Sequence, residues 1–206
     1  MPKDSRSKQH QMRVLVAAAA ARLMAEDGIE DFALAKRKAA RQMGAADTQS
    51  LPNNEEVETE LRAYQALYQG EEQRERTRYL RTRALEAMQS LEHFRPYLAG
   101  AVLTGTAGRY SEIDLQLFTD DSKVVEHFLL NHGIPYDTSD RQYFAGDQVR
   151  SVTVFKSNWQ GVSINLAVYA LKDERGTLKA TRAGRPLERA GIHAVLRLLS
   201  QTSQTN

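Results

Sequence analysis

The sequence predicts an α+β protein: a helical N-terminal bundle over residues 1–96, then a mixed sheet with flanking helices over 97–206. Two observations carry this reading. Up to about residue 96 the apolar residues recur at helical spacing, whereas beyond it short apolar or alternating runs are separated by glycine and polar turns. The balance of 41% hydrophobic and 26% charged residues is ordinary for a chain that folds around a core.

In the first half, Met12, Val16, Ala19 and Leu23 form an apolar stripe on a helix that stops at Gly28. Asp31 is the expected N-cap of a second helix with Phe32, Ala35, Ala39 and Met43 as its stripe and Gly44 as its stop. A polar connector over 45–53, containing Ser50 and Pro52, leads to Asn53 and Glu56, which have the spacing of a capping box. The third helix shows Val57, Leu61, Tyr64 and Tyr68 on its stripe, and a long fourth helix shows Leu80, Ala84, Met88 and Leu91 before ending near Pro96.

In the second half, a first strand is expected at Ala101–Thr104 and a second at Ile113–Phe118. Asp120 or Asp121 then caps a helix with Val124, Val125, Phe128 and Leu129, closed by Gly133. Further strands read at 142–144, 149–155 and 162–169, the last two joined by a turn through Ser157, Asn158, Trp159 and Gly161. A final helix covers 186–199, with Ile192, Val195, Leu196 and Leu199 turned inward.

Composition excludes several classes of function. The chain has no cysteine, so disulfides, thiolate nucleophiles and cysteine-ligated zinc are ruled out together. No stretch approaches the ~18 consecutive apolar residues of a membrane span. Arg13 and Arg22 closely flank the alanine-rich run from Val14 to Ala21, so that run does not read as a secretion signal, and a cytoplasmic protein is expected. The net charge of +2 does not demand a polyanionic partner. Lys36, Arg37, Lys38 and Arg41 nevertheless form an acid-free basic stretch, while the arginines from Arg74 to Arg83 are interleaved with Glu71, Glu72 and Glu75 as on a solvated face.

The chemistry concentrates in residues 103–118. Strand period two puts Glu112 and Asp114 on one side while Ile113 and Leu115 face the core. Two adjacent carboxylates repel, and a hard cation such as Mg²⁺ or Mn²⁺ relieves the repulsion while leaving positions for phosphate and water. The Gly105-Thr106 turn, with Gly108, Arg109 and Ser111 after it, offers backbone N–H groups, hydroxyls and one guanidinium for an anion.

This stretch resembles the signature of the DNA polymerase β-like nucleotidyltransferase superfamily, a Gly-Ser turn followed by Asp-hydrophobic-Asp/Glu. The likeness spans about a third of the chain. The element order is also similar to that of a group of bacterial proteins with a helical region before such a core. The resemblance implies a nucleotidyltransferase-like sheet, an NTP bound at Gly105, Thr106, Gly108, Arg109 and Ser111, and Mg²⁺ on Glu112 and Asp114 as metal-binding and catalytic acids. The spacer 107–111 is shorter than is usual for the family. A third acid, which the family carries on a later strand, is missing: the matching run 161–169 offers Ser163 and Asn165, which with Gln116 would line a pocket. A missing general base removes about 10²–10⁴-fold in rate. His127 and His132 are the substitute bases in the sequence, both on the helix after the second strand.

Three readings stay open at this stage. The chain is a Mg²⁺-dependent nucleotidyltransferase that moves an NMP group to a hydroxyl acceptor, or a degenerate relative that binds a nucleotide or partner without turnover. The third is a DNA-binding helical protein built on the turn at Gly28–Asp31 and the basic helix after it, though that helix begins with apolar residues rather than base-reading ones.

Overall fold

The computed structural model describes residues 3–29, 31–45, 51–68, 70–180 and 186–202. Among them are seven α-helices and a seven-stranded mixed sheet, the α+β class expected from the sequence. The chain packs into two units, one of residues 1–76 with Thr106–Ser111 and the other of Thr77–Gly105 with 112–206.

The first unit contains α1 (Lys3–Asp27), α2 (Phe32–Gln42) and α3 (Asn54–Tyr68). Its core is built from small side chains: Val16, Ala17, Ala20 and Ala21 of α1 meet Ala35 and Ala39 of α2 and Val57 and Leu61 of α3. Alanine at these positions lets the helix axes approach closely, and the buried stripe therefore runs through Ala17, Ala20 and Ala21. Ala19 and Leu23, expected on it, are only partly covered. Asp31 caps α2 as expected, accepting from the N–H groups of Ala33 and Leu34 at 2.7 and 3.2 Å. The capping box also forms, with Glu56 N–H donating to Asn53 Oδ1 at 2.8 Å and Asn53 N–H to Glu56 Oε2 at 2.6 Å.

Two expectations are corrected here. Tyr68 is exposed on the last turn of α3, leaning on the Tyr64 ring 4.7 Å away, and Gln65 takes the buried place instead. The basic stretch of α2 is partly engaged, because Lys36 donates to Asn54 Oδ1 and Lys38 pairs with Asp27, both at 2.8 Å. The connector residues 46–50, and Glu30 of the Gly28–Asp31 turn, lie outside the described residues.

The second unit begins within α4 (Gly70–Ser90), where Leu80, Ala84, Ala87 and Met88 are fully buried, and Leu91 beyond its end is buried as well. The strands are β1 (Tyr97–Ala99), β2 (Ile113–Phe118), β3 (Tyr136–Ala145), β4 (Gln148–Trp159), β5 (Val162–Tyr169), β6 (Leu178–Lys179) and β7 (Arg189–Ala190), in the order β6-β3-β4-β5-β2-β1-β7. Only β2 and β5 run parallel among these pairs. Two more helices lie between strands, α5 (Gly100–Thr104) and α6 (Ser122–Asn131), and α7 (Ile192–Thr202) comes last.

The run Ala101–Thr104, expected as the first strand, is instead the single helical turn α5, and the strand precedes it at Tyr97–Ala99. Three apolar residues and a threonine fit either state by pattern, and the flanking glycines decide: Gly100 and Gly105 sit at φ +68° and +83°, conformations that start and stop a turn. Arg81 then holds α5 in place, its Nε and Nη2 donating to the carbonyls of Val102 and Leu103 at 2.9 Å. The hairpin strands β3 and β4 are longer than expected, since their exposed polar residues still pair in register while one face remains uncovered. The expected turn residues Ser157, Asn158 and Trp159 consequently lie within β4. Among the inward residues expected for α7, Val195 is fully buried but Leu196 is 43% exposed.

The two faces of the sheet differ. Ile113, Leu115 and Leu117 of β2 and Ile164 and Leu166 of β5 are fully buried on one face. The other carries a cluster of Phe118, Tyr143, Val152, Val154, Tyr169 and Leu178 at one end and polar groups at the other. Below the cluster, Asp173 accepts from Tyr143 Oη at 2.7 Å and from Arg150 Nη1 at 2.5 and 2.7 Å. Burial, together with that hydrogen bond, pushes the Tyr143 hydroxyl up to about 12.

Two outcomes follow for stability. Leu80→Ala, on a fully buried site of α4, costs about 2–5 kcal/mol in chemical denaturation. Hydrogen bonds from Arg13 hold Glu56 below its ordinary pKa of 4.5 against a smaller upward push from burial. The stability this contributes is present above pH 4.5 and lost as pH falls through the lower folded value. Thermal melts of Glu56→Gln, which lacks the charge, show a shallower acid loss than the wild type.

Candidate functional site

The polar end of the open sheet face is built by strand register. Because β2 and β5 are parallel with Asp114 opposite Asn165, and β4 is antiparallel with Lys156 opposite Asn165, three polar side chains line up across three strands on one face. Glu112, two residues before Asp114, projects to the same side.

One amide holds the two acids together. Asn165 Nδ2 donates to Glu112 Oε2 at 3.0 Å and to Asp114 Oδ1 at 3.1 Å, so both carboxylates converge on a single nitrogen. Lys156 Nζ donates to Glu112 Oε1 at 2.6 Å. The pair, expected from the sequence to share a side, therefore does so in the fold.

The two acids differ in charge environment. Burial pushes Asp114 up from the ordinary aspartate value, and neither the Asn165 hydrogen bond nor the positive charges of Arg141 and Lys156 fully offset it. Burial acts the same way on Glu112, but hydrogen bonds from Lys156 and Asn165 outweigh it and hold this carboxyl below its ordinary value. The two carboxyls are thus shifted in opposite directions, Asp114 up and Glu112 down.

Two further features favour a ligand at Asp114. Its Oδ2 accepts no hydrogen bond among the described residues and lies against Gly100, where an added Cβ would come within 2.6 Å of it. Next along the same face, the buried Gln116 Oε1 has no hydrogen-bond partner among the described residues. Among these residues no group of three or more His, Asp or Glu is placed to hold a metal. The oxygen donors of Glu112, Asp114 and Gln116 nevertheless suit a hard cation such as Mg²⁺, which binds through one or two carboxylates and completes its shell with phosphate and water. Ser163, also expected near the pocket, is half-buried on β5 two residues before Asn165.

The residues expected to cradle phosphate divide between the units. Gly105 belongs to the sheet unit, where its N–H is used on Ala101 O at 3.0 Å to close α5. Thr106, Gly108, Arg109 and Ser111 pack with the helical unit. There Gln65 Nε2 donates to Thr106 O at 3.0 Å, and Gly108 N–H is spent on Ser111 Oγ at 3.0 Å. The Arg109 guanidinium lies 5.7 Å from the centroid of the Tyr110 ring.

Sequence reasoning missed two residues. Arg81, read as part of a solvated face, is half-buried; burial lowers its pKa, and its Nη2 would lie 3.4 Å from a Cβ on Gly105. Lys156 gave no local signal, because its importance lies in a cross-strand register that periodicity alone does not fix. His127 and His132 are both exposed on or at the end of α6, and His132 Nδ1 lies 2.8 Å from Phe128 O.

A scan against protein-family models finds no match, and no curated protein matches the chain significantly. What the fold and site define is an α+β protein with a paired-carboxylate centre on one face of its sheet.

Gly100→Ala tests how tightly this centre is packed. The new Cβ meets Asp114 Oδ2 and the backbone keeps φ +68°, so the variant loses about 1–3 kcal/mol in urea denaturation. Asp114→Ala in the same background recovers part of that loss.

Proposed function

We propose that the sheet unit engages the phosphates of a nucleoside triphosphate through a divalent cation at Glu112 and Asp114, and transfers an NMP group to a hydroxyl acceptor. The observation that carries this reading is the convergence on one amide of the carboxylates of Asp114 on β2 and Glu112 just before it, with Asp114 Oδ2 accepting no hydrogen bond among the described residues. A bound Mg²⁺ supplies Lewis acidity at the α-phosphate and charge for the leaving pyrophosphate.

The protein's own groups have separate roles. Asp114 and Glu112 provide the anionic oxygens, and Gln116 Oε1 adds a neutral one. Asn165 fixes both carboxylates in orientation, which removes the entropy cost of arranging them when the ligand arrives. Arg81 contributes positive charge beside the Gly105 bend, suited to an outer phosphate.

Asn165 favours a second reading, nucleotide binding without turnover. It stands opposite Asp114 where the resembled family carries its third acid, and its amide donates rather than accepts a proton.

Calorimetry with each NTP, with and without Mg²⁺, combined with a pyrophosphate-release assay, separates the readings. Metal-dependent binding with release that Asp114→Ala abolishes supports the enzyme, and the same binding without release supports the second reading. Absence of metal-dependent NTP binding overturns both. For the active enzyme, Asn165→Asp raises release about 10²-fold by restoring a proton acceptor.

A further inference from the structure

We infer that Lys156 is a built-in counter-ion of the acid pair, so that this centre takes one divalent cation where two-metal phosphoryl-transfer centres take two. The inference rests on the metal-binding reading given above and deepens it.

Two divalent ions about 3.5–4 Å apart bring four positive charges into a small volume and need several anionic ligands to hold them. Here β2 supplies two carboxylates, and the neighbouring position on β5 is a neutral amide that points its hydrogens at both of them. One strand further, the Lys156 ammonium reaches back and donates to Glu112 Oε1 at 2.6 Å, although its side chain is 54% exposed. Asp137 is its cross-strand neighbour on the far side, so Lys156 has an acid on β3 as well, yet its salt bridge runs to Glu112. Arg141 on β3 adds a further positive charge felt by both acids. Glu112 is therefore already compensated by the protein, and the anionic capacity left for an exogenous ion centres on Asp114.

Lys156 thereby acts as a positioning residue. It holds Glu112 on the side of β4 and sets how strongly the pair attracts a cation. Removing the ammonium leaves two nearby carboxylates without it, and their attraction for a divalent ion rises steeply because like charge at such distances costs several-fold to many-fold in affinity.

The test is a Mn²⁺ titration of the full chain without nucleotide, read by the electron paramagnetic resonance of free Mn²⁺. It covers the wild type, Lys156→Met, Lys156→Arg and Asp114→Asn, each checked by thermal melt. One ion in the wild type, affinity about tenfold tighter in Lys156→Met, and unchanged affinity in Lys156→Arg support the inference. Two ions in the wild type, or a Lys156→Met affinity equal to or weaker than the wild type's, overturn it while leaving the parent reading standing if Asp114→Asn abolishes binding. Binding that is absent from the wild type and Lys156→Met, or that survives Asp114→Asn, overturns the parent reading and this inference together.

Discussion

The site depends on one side-chain amide bridging two carboxylates. Without Asn165, Glu112 and Asp114 would be like charges on one strand face with burial working against the ionised state of both. The amide lets the two oxygens share one donor, and Lys156 draws Glu112 toward β4. The geometry that brings these groups together is the pairing of β2, β5 and β4, so the chemistry and the sheet depend on the same register.

The remainder of the sheet unit anchors that register. The apolar face of β2 and β5 is fully buried, which forbids a one-residue slip, because a slip would drive Asp114 into the core and Leu115 into solvent. At the opposite end of the open face the buried Asp173 ties Tyr143 and Arg150 of the hairpin to the turn after β5. Glu174 next to it accepts from Arg95 at 2.7 Å and from Tyr97 Oη at 3.0 Å, linking that turn to the start of β1. These contacts stabilise the aromatic end, while at the polar end the buried Gln116 Oε1 has no hydrogen-bond partner among the described residues.

Much of this was legible in the sequence, and the exceptions have physical reasons. The caps at Asp31, Asn53 and Asp121 could be read because capping is local chemistry with fixed spacing. β2 and β5 were found with their bounds, since apolar residues alternating with polar ones between polar turns mark strands. Ala101–Thr104 was misread because so short a run carries no period, and the glycines on either side decide between turn and strand. Glu112 and Asp114 could be paired from strand alternation alone. The roles of Asn165, Lys156 and Arg81 could not, because they come from neighbours about 50, 40 and 20 positions away in sequence, whose proximity is a property of tertiary folding.

The parallel pairing of β2 and β5 has a consequence for how such a chain tolerates change. Between these strands lie α6 and the β3–β4 hairpin, in which β4 must keep its register with β5 while the tip at Gly146 lies outside the paired positions. Insertions at that tip are tolerated, whereas deleting one residue inside β5 would swap Asn165 for a leucine or isoleucine opposite Asp114 and silence the centre without unfolding the helices.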